Sequence, residues 1–133
     1  MKKNIKILIV DDMPNMRKIN RIMLDKLGFK NVKEAGDGKK AIEMLQEVYD
    51  DDLTVGEYEL IFLDLNMPDI SGLDVLIEIK SDSRLKHIPV IVISAENEKE
   101  TVLKAVQIGA NDYIVKPFNT GTLQEKLEKL FKV

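Results

Sequence analysis

The chain has 133 residues, of which 44% are hydrophobic and 32% are charged, with a net charge of −3 and no cysteine. This length and composition predict one globular domain over residues 1–133 with no attached output domain, and the missing cysteines exclude disulfides, a thiolate nucleophile and a cysteine-based zinc site. Because the chain lacks a large basic footprint, an apolar run of bilayer length and a signal peptide, we expect a cytoplasmic protein that binds neither nucleic acid nor membrane.

The first half of the chain alternates between strand-like runs and helical patterns. Residues 5–10 form a β-branched run that predicts a strand. The next segment predicts a helix that ends at Gly28, with apolar residues at helical spacing at Met16, Ile19, Met23 and Leu27. A short strand over residues 32–35 precedes a helix that carries Ala41, Ile42 and Leu45. The polar stretch 50–57 then predicts a surface insertion.

The second half repeats the same alternation, with strands predicted at residues 60–63, 89–93 and 112–115. The helices that follow these strands carry apolar residues at helical spacing, which are Leu73, Leu76 and Ile77, then Val102, Ala105 and Val106 before Gly109, then Leu123, Leu127, Leu130 and Phe131. Five strand–helix units in a row predict a doubly wound α/β fold, with a five-stranded parallel sheet covered by helices on both faces.

Polar residues follow four of the predicted strands. The first strand ends in Asp11 and Asp12, the third in Asp64, the fourth in Ser94, with Glu96 two residues on, and the fifth in Lys116. In parallel sheets, ligands bind beyond the carboxyl ends of the strands. A helix cap would explain each acidic residue alone, but all four strand ends together predict a ligand site.

The residue types at this edge predict a particular chemistry. Three carboxylates close together repel one another unless a cation neutralises them, and Mg²⁺ suits a small set of oxygen ligands. A carboxylate can also act as a nucleophile and form an aspartyl-phosphate. Lys116 would then stabilise charge on the phosphoryl oxygens, and Ser94 could donate a hydrogen bond to them.

These residues give the chain a close similarity to a known family. It resembles the receiver domains of two-component response regulators, most closely chemotaxis receivers of the CheY type. The resemblance rests on residues 10–12, 16–17, 27–29, 34–35, 37–38, 64–68, 72, 94–96, 109–110 and 113–118. It implies a flavodoxin-like sheet with the strand order 2-1-3-4-5.

The resemblance also implies roles for the strand-end residues. Asp64 would accept a phosphoryl group from a CheA-like sensor histidine kinase or from a small acyl phosphate. Mg²⁺, which Mn²⁺ could replace, would be held by Asp12 and Asp64 directly, by Asp11 through water and by the backbone carbonyl of Asn66. Lys116, in a cis peptide bond with Pro117, and Ser94 would hold the phosphoryl oxygens.

Other positions match the family's signalling residues. Ser94 and Tyr113 match its switch pair, and Asn66 and Glu96 match positions that tune dephosphorylation. Lys99, Val102, Val106, Tyr113 and Lys126 resemble the surface with which chemotaxis receivers meet the flagellar motor switch. Exposure of Val102 or Val106 would favour such an interface, and burial would make them core residues. The resemblance implies a monomeric signalling protein rather than an enzyme acting on other substrates.

Three alternatives are weighed against this interpretation. A phosphatase of the haloacid dehalogenase type would need a second carboxylate where Asn66 stands, and a flavodoxin would need a Ser/Thr/Gly-rich loop after the first strand. Within the family, a phosphorelay or kinase-regulating receiver competes with the motor-binding role. His87, the only histidine, is predicted to be a surface loop residue rather than a phosphorelay histidine.

Overall fold

Five strands and five helices alternate along the chain in the computed structural model, which describes residues 3–50, 57–95 and 99–131. The strands are β1 (Ile7–Val10), β2 (Val32–Ala35), β3 (Leu60–Leu63), β4 (Val90–Ser94) and β5 (Asp112–Val115). The helices are α1 (Pro14–Lys26), α2 (Gly38–Asp50), α3 (Gly72–Ser81), α4 (Lys99–Ile108) and α5 (Thr120–Phe131). The predicted insertion at 50–57 lies largely outside the described residues. Within the described part, no helix combines the length and the apolar character needed to cross a membrane.

The strands form one parallel sheet in the order β2-β1-β3-β4-β5, which confirms the predicted fold class and strand order. Successive side chains of a strand point to opposite faces, so β1 contributes Leu8 and Val10 to one buried cluster and Ile7 and Ile9 to another. Helices α2, α3 and α4 cover the first cluster, and α1 and α5 cover the second. Burial on both faces explains why β1, β3 and β4 are continuous apolar runs.

The buried faces of two helices differ from the sequence prediction. Ile19 of α1 is 42% exposed and Ile77 of α3 is 46% exposed, so neither lies on the core side. The inward face of α1 is instead centred on Asn20 and Leu24. The polar Asn20 on that face hides the true periodicity from a search for apolar residues. The predicted helix ends at Gly28 and Gly109 are confirmed, because both have positive φ, 96° and 132°, and lie within two residues of the ends of α1 and α4.

Gly72 allows α3 to begin close to the end of β3. A Cβ atom at this position would lie 2.1 Å from the carbonyl oxygen of Asp64 and 2.4 Å from the Cα of Leu65. Both neighbours are backbone atoms and cannot rotate away. The absence of a side chain at Gly72 therefore sets how closely α3 packs against the loop that carries Asp64.

We expect Gly72→Ala to lower the free energy of unfolding by roughly 1–3 kcal/mol, because the added methyl group overlaps backbone atoms. Urea unfolding of the variant measures this loss. Gly36→Ala is the matched control, since the nearest atom to its added Cβ would be Arg17 Nη1 at an ordinary 3.5 Å. Equal stability of the Gly72→Ala variant and the wild type would contradict the steric argument.

Candidate functional site

Backbone hydrogen bonds extend the sheet one residue past three of its strands and so fix the site residues. The N–H of Asp11 donates to Ala35 O at 3.2 Å, that of Asp64 to Val10 O at 2.9 Å, and that of Lys116 to Ser94 O at 2.9 Å. Asp11, Asp64 and Lys116 thus continue β1, β3 and β5 at the carboxyl edge. Their side chains start from positions that the sheet determines, as the sequence predicts.

Lys116 bridges two buried carboxylates at this edge. Its Nζ lies 2.9 Å from Asp11 Oδ2 and 3.4 Å from Asp64 Oδ2, and the two aspartates are only 1% and 5% exposed. The other oxygen of each carboxylate accepts a backbone N–H two residues on, from Met13 at 2.9 Å and from Asn66 at 3.2 Å. Both carboxylate oxygens of Asp11 and of Asp64 therefore have a defined partner.

Asp12 joins these two residues in an acidic cluster. Ligand oxygens of Asp11, Asp12 and Asp64 all lie within 4.8 Å of one another. Burial raises the pKa of Asp64 and the Asp11 charge adds to this effect, while the Asn66 N–H and the Lys116 ammonium act in the opposite direction. A hard cation with oxygen ligands would relieve the repulsion among the carboxylates, so the cluster could hold a metal ion.

Ser94 is completely buried at the end of β4 and lies beside the same cluster of loops. The side-chain Nδ2 of Asn66 donates to Ser94 Oγ at 3.3 Å. The structure thus links two predicted site residues that the sequence did not pair. Glu96, the second residue predicted to tune dephosphorylation, lies outside the described residues.

This geometry agrees with the comparison to known proteins. The family model of the response regulator receiver domain matches residues 7–128. The chain belongs to the response regulator receiver family. It is 46% identical over 132 residues to the chemotaxis protein CheY-3 of Vibrio cholerae, covering 99% of this chain and 95% of that protein. It is 42% identical over 127 residues to the chemotaxis protein CheY of Pseudomonas aeruginosa, covering 96% of each.

A solved receiver structure is similar over the same length. A chain in the crystal structure of the CheX–CheY–BeF3–Mg²⁺ complex from Borrelia burgdorferi matches with a TM-score of 0.84 at 27% identity, covering 96% of this chain and 89% of that one. As a receiver domain, the protein is a signalling protein, and the CheY-type fold is confirmed.

The predicted partner surface of the receiver is only partly exposed. Val106 of α4 is 51% exposed, whereas Val102 is half-buried. Leu103, which the sequence analysis did not single out, is 50% exposed and lies three residues before Val106 on the same helix. We call Leu103 and Val106 the exposed α4 face. Its exposure is the result that favours an interface.

The other predicted surface residues lie on α4, β5 and α5. Lys99 is exposed at the start of α4, and Tyr113 is half-buried against the core. Lys126 of α5 forms an ion pair with Asp112 at 3.0 Å, and the same Asp112 oxygen accepts the N–H of Tyr113 at 2.8 Å. Asp112 is therefore a second residue missing from the sequence analysis, and it ties α5 to the strand that carries Tyr113.

His87 lies where the sequence analysis places it. His87 is exposed in the connection before β4, as expected of a surface loop residue. Pro14 is the first residue of α1, a position that tolerates the missing N–H. Met13, which precedes it beside Asp12, is 53% exposed and leaves an apolar side chain near the acidic cluster.

We expect Asp64→Asn to stabilise the metal-free protein at pH 7. The pKa of an aspartate in an unfolded chain is about 3.9, and burial raises the pKa of Asp64 in the folded protein. At a pH between the unfolded-state pKa and the raised folded-state pKa, the unfolded chain has lost a proton that the folded protein retains. The free energy of unfolding therefore falls as pH rises between these two pKa values and stays lower at higher pH. Removing the ionisable group removes this loss.

Thermal unfolding in EDTA at several values between about pH 4 and pH 7 measures the effect. The gain in thermal stability of Asp64→Asn over the wild type is expected to be largest at pH 7 and to disappear near the acidic end of this pH range. Asp69→Asn, which alters an exposed carboxylate in the same loop, serves as the control. A variant less stable than the wild type at pH 7 would show that burial of this charge is not the dominant cost.

Proposed function

We propose that this receiver domain is a chemotaxis response regulator that accepts a phosphoryl group on Asp64 in the presence of Mg²⁺. The observation that carries this proposal is the bridging of Asp11 and Asp64 by Lys116 next to the acidic cluster. Asp12 and Asp64 would hold Mg²⁺ directly, Asp11 through water and Asn66 through its backbone carbonyl. Oxygen donors fit this ion, and Mn²⁺ could replace it.

The phosphoryl transfer is a simple displacement at phosphorus. A carboxylate oxygen of Asp64 forms a bond to phosphorus while the bond to the donor breaks, and the electron pair leaves with the donor. The donor is the phosphohistidine of a sensor histidine kinase, or a small acyl phosphate whose carboxylate departs. Mg²⁺ held by these residues would supply charge compensation for the phosphoryl oxygens. Under this proposal the chain would assist only its own phosphorylation and dephosphorylation.

Lys116 and Ser94 then hold the transferred group. The ammonium of Lys116 is already 3.4 Å from Asp64 Oδ2, so it could bind an oxygen of a phosphoryl group on Asp64 with little movement. The Ser94 hydroxyl, at the end of the neighbouring strand, would donate to a second oxygen. Asn66 contacts this hydroxyl at 3.3 Å and is well placed to influence the water that hydrolyses the product. Glu96 is proposed to share this role.

Phosphorylation would change the protein's partner surface through Ser94 and Tyr113. These residues lie on adjacent strands, where Val92 of β4 pairs with Tyr113 of β5. A shift of Ser94 toward the phosphoryl group would favour an inward position of Tyr113, which is a population shift between two existing arrangements. The exposed α4 face, with Lys99 and Lys126, would then bind the partner.

The similar proteins support a protein partner in chemotaxis, and a flagellar motor switch protein is the partner proposed here. Two of them are chemotaxis proteins by name, and the Borrelia burgdorferi relative was solved in complex with CheX. Exposure of Val106 and Leu103 supports a protein interface rather than a core role for these residues. A cytoplasmic monomer without a nucleic-acid or membrane partner is consistent with this role.

Labelling with radioactive acetyl phosphate tests the acceptor assignment. We expect the wild type to incorporate acid-stable, base-labile phosphate with Mg²⁺ and to incorporate none after the metal is removed with EDTA. Asp64→Asn should abolish the labelling, whereas Asp69→Asn, an exposed aspartate in the same loop, should leave it unchanged. Undiminished labelling of the Asp64→Asn variant would refute the assignment.

A charge on the exposed α4 face should disrupt partner binding without affecting phosphorylation. We expect Val106→Asp to weaken phosphorylation-dependent binding to the cognate motor switch protein at least about tenfold, because the new carboxylate would be buried without a partner. Isothermal titration calorimetry measures the affinity. Ile77→Asp on α3 is the matched control, since Ile77 is also an exposed apolar helix residue, at 46%.

The same binding experiment separates the motor role from the phosphorelay alternative. Binding of the motor switch protein only after phosphorylation would support the motor role. Binding to a histidine phosphotransfer domain, with no affinity for the switch protein, would favour a phosphorelay or kinase-regulating receiver. Acetyl phosphate labelling of Val106→Asp and Ile77→Asp checks that neither substitution disturbs the acceptor site.

A further inference from the structure

Arg17 of α1 makes a contact that the phosphoacceptor chemistry does not itself require. Its Nη1 donates to the backbone carbonyl oxygen of Asp11 at 2.6 Å, and its Nε donates to Glu34 Oε1 at 3.0 Å. The Arg17 side chain is only 18% exposed. We infer that Arg17 is a positioning residue that orients the Asp11–Asp12 peptide for metal binding, an inference that rests on the proposed function.

Glu34 of β2 holds the guanidinium of Arg17 in place. Its second oxygen, Oε2, accepts from Arg21 Nε at 2.8 Å, so one carboxylate anchors two arginines of α1 to the sheet. Burial alone would raise the pKa of Glu34, but the hydrogen bonds from Arg21 and Arg17 outweigh it and lower the pKa overall. Glu34 is therefore an ionised anchor at neutral pH.

The contact matters because of the peptide unit that it reaches. The carbonyl of Asp11 belongs to the peptide that joins Asp11 to Asp12, two of the three acidic residues of the cluster. The preceding peptide is fixed by β2, because the Asp11 N–H donates to Ala35 O at 3.2 Å. The Asp11–Asp12 peptide itself is held at its carbonyl oxygen by Arg17. Rotation of this peptide would move the Asp12 side chain relative to Asp11 and Asp64. Arg17 restrains that rotation.

Arginine suits this task because its donors stand in a rigid planar fork. One edge of the fork can bind Glu34 while another binds the Asp11 carbonyl. Removing a group that orients a metal ligand without contacting the metal itself typically lowers metal affinity by about 10- to 100-fold. The same loss of affinity is expected here if the Asp11–Asp12 peptide loses its restraint.

The chain offers a closely matched control in Arg21. Like Arg17, it binds Glu34 through Nε and donates to one backbone carbonyl, that of Val32 at 3.0 Å. Arg17→Met and Arg21→Met therefore each remove one ion pair with Glu34 and one bond to a carbonyl. They differ in whether that carbonyl belongs to the acidic cluster.

Mg²⁺ titration calorimetry of the wild type and both variants tests the inference, and thermal melts establish that each protein is folded. We expect Arg17→Met to weaken Mg²⁺ binding about tenfold and Arg21→Met to stay within about twofold of the wild type. Arg17→Gln is a second variant that lacks the fork. Its Mg²⁺ affinity is expected to match that of Arg17→Met.

Two results would overturn the positioning role. Unchanged Mg²⁺ affinity in both Arg17 variants would show that the contact is structural only. Equal weakening by Arg17→Met and Arg21→Met would assign the effect to the shared anchor on β2. A wild type that binds no Mg²⁺, or an Asp12→Asn variant with undiminished affinity, would instead remove the proposed metal site itself and the inference with it.

Discussion

Charge balance at the carboxyl edge of the sheet is the constraint on which the rest of the site depends. Asp11 and Asp64 are almost completely buried, and each would be costly to ionise without a cation nearby. Lys116 contacts both of them. With Asp12 ionised as well, three carboxylates and one ammonium leave a formal charge of −2 in the cluster. Under the proposed function, one divalent cation would neutralise that charge, and an incoming phosphoryl group would bring back negative charge that Lys116 and the cation could share.

Backbone hydrogen bonds and close packing hold these charged residues at fixed positions. The sheet ladder continues through Asp11, Asp64 and Lys116, so these residues cannot separate without breaking sheet hydrogen bonds. The start of α3 packs closely against the carbonyl of Asp64 at Gly72. Arg17 donates a hydrogen bond to the carbonyl of Asp11, the contact inferred to restrain this peptide. Because these contacts keep the carboxylates close together, their mutual repulsion would favour binding of the proposed metal ion.

Much of this site could be predicted from the sequence because strand ends converge in a parallel sheet. Asp11, Asp64, Ser94 and Lys116 each follow a recognisable apolar run, so their meeting needs only the fold class. Arg17 and Glu34 could not be paired in this way, since they lie 17 positions apart and on different elements. Their pairing depends on how α1 rotates about its axis, which places Asn20 and Leu24 inward. The polar Asn20 conceals that rotation in the sequence.

The surface residues were harder to predict for a different reason. Val102 and Val106 share a helical pattern, yet Val106 is exposed and Val102 is half-buried. Exposure depends on the tertiary packing around each side chain, which the pattern does not contain. Under the proposed function, the signal must reach this surface from Ser94. A phosphoryl group shifts an equilibrium only by its differential affinity for the two arrangements, and a change from 1:99 to 99:1 needs about 10⁴-fold. Ser94 and Lys116 are the proposed contacts that can supply such a difference. The Asp112 carboxylate, which holds both the Tyr113 N–H and Lys126, would carry a movement of β5 on to α5.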